Sequence, residues 1–170
     1  KKPKSLSALE AAALPLVAIT AWEALFVKAH LCENNTILIH GGVGGVGHIA
    51  VQLAKYVGAK VYATVLKEGD FTLAKSLGAD EVINAKTETP ESYVKRLTHN
   101  QGFDFVFDTV GGPNLDKSFF ATKKNGHVIT TAARSNHDLS PMHSKALNLH
   151  AVFMLLPLLS GDEPGTLRFM

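Results

Sequence analysis

Cysteine is nearly absent from this sequence: Cys32 stands alone among 170 residues. One thiol excludes a disulfide framework and a CxxC-type metal site. It agrees with a reducing, cytoplasmic setting. Charge of one sign is also scarce. Seventeen Lys and Arg are interspersed with fifteen Asp and Glu, for a net charge of +2, so no basic face for nucleic acid stands out. Lys1, Lys2 and Lys4 read as a solvated end. No uninterrupted apolar run reaches the length of a membrane span. The opening KKPKSLSALEAAALPL has the basic-then-apolar order of a signal peptide. Glu10 interrupts its apolar part and no Met begins it, so the expectation is the interior of a longer protein.

What is present is the composition of a globular domain, 46% hydrophobic and 19% charged, with length enough for a real core. Ser7 to Glu10 forms a capping-box pattern that opens a short helix through Ala13. Pro15 is expected to break it, and a second helix runs from Thr20 to His30. Strands and helices then alternate. The expected strands are 36–40, 60–65, 81–84, 103–108 and 127–131, with a last one at 148–155 ended by Pro157. The expected helices are 46–57, 71–77, 90–99 and 114–120. ILI, FVF and VIT are continuous apolar runs, as befits strands covered on both faces. The expected fold class is therefore α/β, a Rossmann-type doubly wound parallel sheet. Residues 1–155 read as one dinucleotide-binding domain, and 156–170 as chain leaving it.

Gly42-Val43-Gly44-Gly45-Val46-Gly47 is a literal GxGxxG. It follows an expected strand and opens an expected helix within one strand–helix–strand unit, which is the context that gives the motif meaning. Gly42 would permit the tight turn, Gly44 the approach of a pyrophosphate, and Gly47 the packing of helix on strand. The helix N-terminus would offer unpaired N–H groups to phosphates. The bland alternative is a glycine-rich turn without ligand, which each extra glycine makes entropically costly. The second strand should choose the cofactor. An acid about 20 residues after the motif usually holds the ribose 2′-OH of NAD; here the chain reads Thr64-Val65-Leu66-Lys67. Lys67 could meet a 2′-phosphate instead, so NADP(H) is favoured over NAD(H), with Glu68 and Asp70 close behind.

Five segments, TAWEALF (20–26), ILIHGGVGGVG (37–47), VQLAKYVGAKVYAT (51–64), LAKSLGADEVIN (73–84) and FDFVFDTVGG (103–112), occur in order over nearly the whole chain. Together they resemble the quinone oxidoreductase branch of the medium-chain dehydrogenase/reductase superfamily. The resemblance implies the cofactor domain of a larger enzyme that transfers hydride from NADPH to quinones or to activated C=C bonds of enones. It implies cofactor contacts at Thr20 near the nicotinamide, at Gly44, Gly45 and Val46 on the pyrophosphate, and at Thr64 after the second strand. It further implies contacts at Val110 and Gly111 beside the nicotinamide ribose, and at Thr131 and Ala132 after the fifth strand. A small-molecule substrate is implied, with most of its pocket, and any zinc, in a GroES-like half outside this segment. The isolated chain is then expected to be inactive, without metal, and to pair as a homodimer through the last sheet-edge strand. Two positions depart from the family's NADPH pattern: Asp70 replaces a frequent lysine and Ala85 a frequent tyrosine. Thr131-Ala132 replaces the usual Phe-Gly.

Tyr56 to Lys60 is a literal YxxxK, the short-chain dehydrogenase spacing, but it straddles a helix end just before the second strand. Tyr56 reads as half packed on the sheet and Lys60 as a strand entry. His137 and His143 lie near each other with no thiolate or helical i, i+4 partner, so loop histidines are the simpler reading. No GxSxG elbow anchors a hydrolase. Asp104 and Asp108 flank the fourth strand, and Asp108 reads as a turn cap. A nucleotide-sensing module without chemistry stays open.

Overall fold

The computed structural model of the protein describes residues 2–161. Six strands form one all-parallel sheet: β1 (Thr36–His40), β2 (Lys60–Val65), β3 (Glu81–Asn84), β4 (Phe103–Asp108), β5 (Thr122–Thr130) and β6 (Asn148–Ala151). Their order is β3-β2-β1-β4-β5-β6. The chain winds one way from β1 to β3 and the other way from β4 to β6. The expected doubly wound sheet is therefore the fold.

Helices cover both faces, which is why the strands carry apolar side chains on each. On one face Ile37, Ile39, Val61, Ala63, Phe105, Phe107 and Ile129 pack with Ala50, Val51 and Ala54 of α2 (Gly47–Tyr56) and with Ala74 of α3 (Phe71–Ser76). On the other, Leu38, Tyr62 and Val106 meet Tyr93 and Val94 of α4 (Pro90–Thr98). Leu115 and Phe119 of α5 (Pro113–Ala121) pack there on Val128. Short helices α6 (Ser140–Ser144) and α7 (Leu156–Ser160) flank β6. The expected tail at 156–170 falls mostly outside the described residues.

Three expectations need correction. Pro15 does not break the first helix: α1 runs Ala8–Trp22 with Pro15 inside it and passes directly into a π-helical turn, Glu23–Lys28. The Ser7 capping box forms as expected, Ser7 Oγ accepting from Glu10 N–H and Glu10 accepting from Ser7 N–H. Proline removes one intrahelical bond, and burial of Thr20, Ala21, Ala24 and Leu25 outweighs that loss. The joined segment Ala8–Lys28 is long and apolar enough to cross a membrane by length and composition alone; here its buried face packs on the domain. Second, β5 begins at Thr122, five residues before the expected start. Thr122 pairs with Phe103, the register then shifts, and His127 pairs with Phe105; the polar Lys123-Lys124-Asn125 run hides this first part. Third, β6 ends at Ala151 rather than continuing to 155. Phe153 carbonyl accepts from Leu156 N–H in a turn, and Pro157 lies in the first turn of α7 instead of ending a strand.

Candidate functional site

The carboxyl ends of β1 and β4 lie side by side at the point where the winding reverses. Loops leaving two adjacent strands in opposite directions open a crevice there, and ligands of doubly wound sheets bind in it. The glycine loop leaves β1 and the 109–112 turn leaves β4.

The glycine loop is built by close approach. Gly41 takes the left-handed conformation, φ +71°, which only glycine adopts without strain. Its N–H donates to Thr64 Oγ1 at 3.1 Å, and Gly42 N–H donates to Thr64 carbonyl at 2.9 Å. A Cβ on Gly42 would come within 2.6 Å of Ala63 Cβ, and one on Gly47 within 2.0 Å of Gly41 carbonyl oxygen. Gly47 thus seats α2 on β1, the packing role expected of it. The tight turn falls to Gly41, one residue before the literal motif, and Gly42 abuts β2 instead. Gly44 is exposed at the cleft. A Cβ on Gly45 would lie 3.6 Å from Val17 Cγ1 of α1, an ordinary contact. Val46 is the N-cap of α2 and packs on the core.

A buried polar row floors the crevice. His40, Asp108 and Thr130 end three adjacent strands and Thr64 is the penultimate residue of the strand beside them, and each is at least nine-tenths buried. Asp108 carboxylate accepts from Val110 N–H, from Gly111 N–H and from Asn114 Nδ2, at 2.8–3.2 Å. This is the turn-capping role read from the sequence, and it fixes the 109–112 turn. His40 Nδ1 lies 3.3 Å from Thr64 Oγ1 while Nε2 meets no protein partner. Burial pushes the imidazole down to about 4, with Asp108 opposing and Lys117 reinforcing that shift.

Two clefts open above this floor. One, of about 490 Å³, is bounded by the glycine loop, the end of β2 and the start of α5. Gly44, Thr64, Lys67, Val110 and Gly111 line it, as do Asp70 and Ala85. The other, of about 530 Å³, is lined by Thr131 and Ala132 with Gly112, the 133–135 loop and the end of β6. Gly111 joins them: a Cβ there would lie 2.5 Å from Ala132 Cβ. Thr20 lines neither; it is buried in α1 and its hydroxyl donates to Leu16 carbonyl.

Gly41, Asn114 and Lys117 belong to the site but were missed from sequence. Gly41 had a signal, the run of glycines beginning one residue early; Lys117 had none, because only the fold carries the first turns of α5 to the cleft. Tyr56 corrects an expectation: it is 90% exposed rather than half packed, since it ends α2 facing away from the sheet. Lys60 does enter β2, its ammonium 5.5 Å from the Tyr62 ring centroid. Both lie at the amino end of the sheet, away from the crevice. Among the described residues no group of three or more His, Cys, Asp or Glu is placed to hold a metal.

Known proteins resemble this chain in sequence and fold. A family model described as zinc-binding dehydrogenase matches residues 45–169. A quinone oxidoreductase of Pongo abelii is 30% identical over 86% of this chain and 44% of its own length. An alcohol dehydrogenase superfamily protein from Novosphingobium aromaticivorans, known by crystal structure, is 44% identical with a TM-score of 0.91, over 95% of this chain and 48% of its own. A mycobacterial protein solved with NADPH is 27% identical with a TM-score of 0.83, over 92% of this chain and 50% of its own. The chain spans about half the length of each of these three relatives.

Proposed function

Because this chain belongs to the zinc-binding dehydrogenase family of oxidoreductases, we propose that it is the cofactor-holding half of an NADPH-dependent reductase acting on quinones or enones. The observation that carries this reading is the cleft at the switch point, with Lys67 on its wall and no acid among Thr64 to Lys67. The fit rests on the chain's own geometry. Gly44 is exposed at the cleft and carries no Cβ, so the backbone there is open to whatever occupies the loop. The N–H groups of Gly45, Val46 and Gly47 at the start of α2 meet no protein acceptor among the described residues, and suit the oxygens of a pyrophosphate. The cofactor, when bound, supplies the hydride.

The residues supply position. The loop N–H groups anchor the diphosphate. Lys67 pairs with the 2′-phosphate as a point charge. Asp108 holds the 109–112 turn, so that Val110 and Gly111 form a fixed wall between the two clefts. Thr131 and Ala132 then border the space where nicotinamide and substrate would meet. The described residues offer no ligand set for zinc, and no step is assigned to a metal.

The test is a titration of the chain with NADPH and with NADH, followed by fluorescence of Trp22 and of the nicotinamide. NADPH should bind more tightly. Lys67→Ala should weaken NADPH by about tenfold, the worth of one partly exposed charged contact, and leave NADH unchanged. Equal losses would defeat the assignment. Asp70 on the same cleft favours the other reading: tighter NADH binding would mean that its carboxylate meets a ribose hydroxyl.

A further inference from the structure

The loop after β5 brings two side chains against a third on α5, and cofactor binding leaves all three unused. Ser135 Oγ lies 2.5 Å from His137 Nε2, and His137 Nδ1 lies 3.1 Å from Asp116 Oδ1. A carboxylate only accepts, so the Nδ1–H belongs on the Asp116 side. Nε2 is then a lone pair receiving the serine hydroxyl. Asp116 sits in the first turn of α5 and Phe119 three residues later, on the same helix face. The Phe119 ring meets the imidazole edge-on, with centroids 6.4 Å apart at 87°. One helix therefore holds the imidazole by its Nδ1 and by its flank. The His137 side chain is only 8% exposed, whereas Ser135 is exposed and lines the 530 Å³ cleft. Arg134 brings a cation to the same cleft.

We propose that Ser135, His137 and Asp116 form a nucleophile–base–orienter relay that cleaves small acyl esters entering this cleft, an activity separate from hydride transfer. The arrangement meets the geometric requirement for such a relay: nucleophile bonded to base, base bonded to a group that fixes its tautomer. It uses no GxSxG elbow, because the contact between His137 and Asp116 comes from tertiary folding. Ser135 Oγ attacks the ester carbonyl carbon and its proton passes to His137 Nε2. Arg134 faces the negative charge that develops on the carbonyl oxygen. The ester C–O bond breaks and the leaving alkoxide takes the proton from His137. Water, deprotonated by the same nitrogen, releases the acid and returns the proton to Ser135.

A fluorophosphonate reads this chemistry on the chain itself. Serine oxygen bonds to phosphorus, fluoride departs, and the proton goes to His137. Peptide mass spectrometry should place the adduct on Ser135. Ser135→Ala should abolish the adduct. His137→Gln should slow it by about 100-fold or more, the usual contribution of a general base, and Asp116→Asn should give a smaller loss. Melting temperatures of the variants separate lost folding from lost reactivity. The wild-type chain carrying no adduct at Ser135, or His137→Gln reacting at the wild-type rate, would overturn the relay.

Discussion

His40 shows how a single residue can be placed against its own chemistry. An imidazole ordinarily titrates near neutral pH, yet here it is buried at the end of β1 with Nε2 unpartnered. The protonated form is excluded down to about pH 4 in the fold but forms near pH 6.5 in the unfolded chain. Between those values the unfolded chain binds more protons, so stability falls as pH drops. The window of about 2.5 units corresponds to a loss on the order of 3 kcal/mol. The loss is complete near pH 4 and absent above 7. Burial also lowers His127 and His150, so the slope of the wild type is not His40's alone. Urea midpoints of the wild type and of His40→Asn, compared at pH 7 and pH 4.5, isolate it. The variant should lose most of the slope; an unchanged slope would show that another group sets the acid limit. The histidine was visible in the sequence only as the residue before a glycine run. Its burial and its register with Asp108 needed β1 and β4 to be neighbours, which no local pattern states.

The strand-to-helix crossing of the glycine loop is where sequence and structure agree most closely, and it also shows how far a motif can be trusted. The literal GxGxxG places three roles on Gly42, Gly44 and Gly47. Packing confirms the role of Gly47 and moves the turn to Gly41, because a positive φ is a property of the backbone path and not of motif spacing. Gly47→Ala would drive a methyl group to within 2.0 Å of the Gly41 carbonyl oxygen, a backbone atom that cannot swing aside. The expected result is a loss of several kcal/mol, beyond the ordinary range for a surface change and in the class of forced overpacking. Gly45→Ala has room, with its nearest neighbour at 3.6 Å, and gains helix-favouring restriction of the unfolded chain, so its melting temperature should equal or exceed that of the wild type. If Gly47→Ala melts with the wild type, the close approach of α2 to β1 is not the constraint described. Elements lacking such a motif were read less well. The first half of β5 is polar because Lys123 and Lys124 are exposed, and Pro15 sits on an exposed part of α1. In both, tertiary pairing or burial elsewhere in the element overrode the local signal.

At the scale of the molecule, alternation of strand and helix made the sheet legible, and the crevice at its switch point followed from topology. What one chain cannot contain is the partner of its own edge. β6 pairs with β5 on one side, and among the described residues no strand pairs with its other side. Such an edge presents unpaired N–H and C=O groups, and natural sheets cover or charge it. β6 carries neither Lys nor Pro, and Leu149 and Phe153 stay partly exposed beside it. We propose that a second copy of the chain covers this edge, extending the sheet across a two-fold axis as isologous pairing requires. Sedimentation velocity over a hundredfold concentration range should show a monomer–dimer equilibrium. Leu149→Lys should shift it toward monomer by placing like charges near each other across the axis, while leaving the crevice and NADPH affinity intact. A wild-type chain that sediments as monomer throughout would leave the edge for some other segment to cover. A Leu149→Lys dimer as tight as the wild type would put the contact on another face.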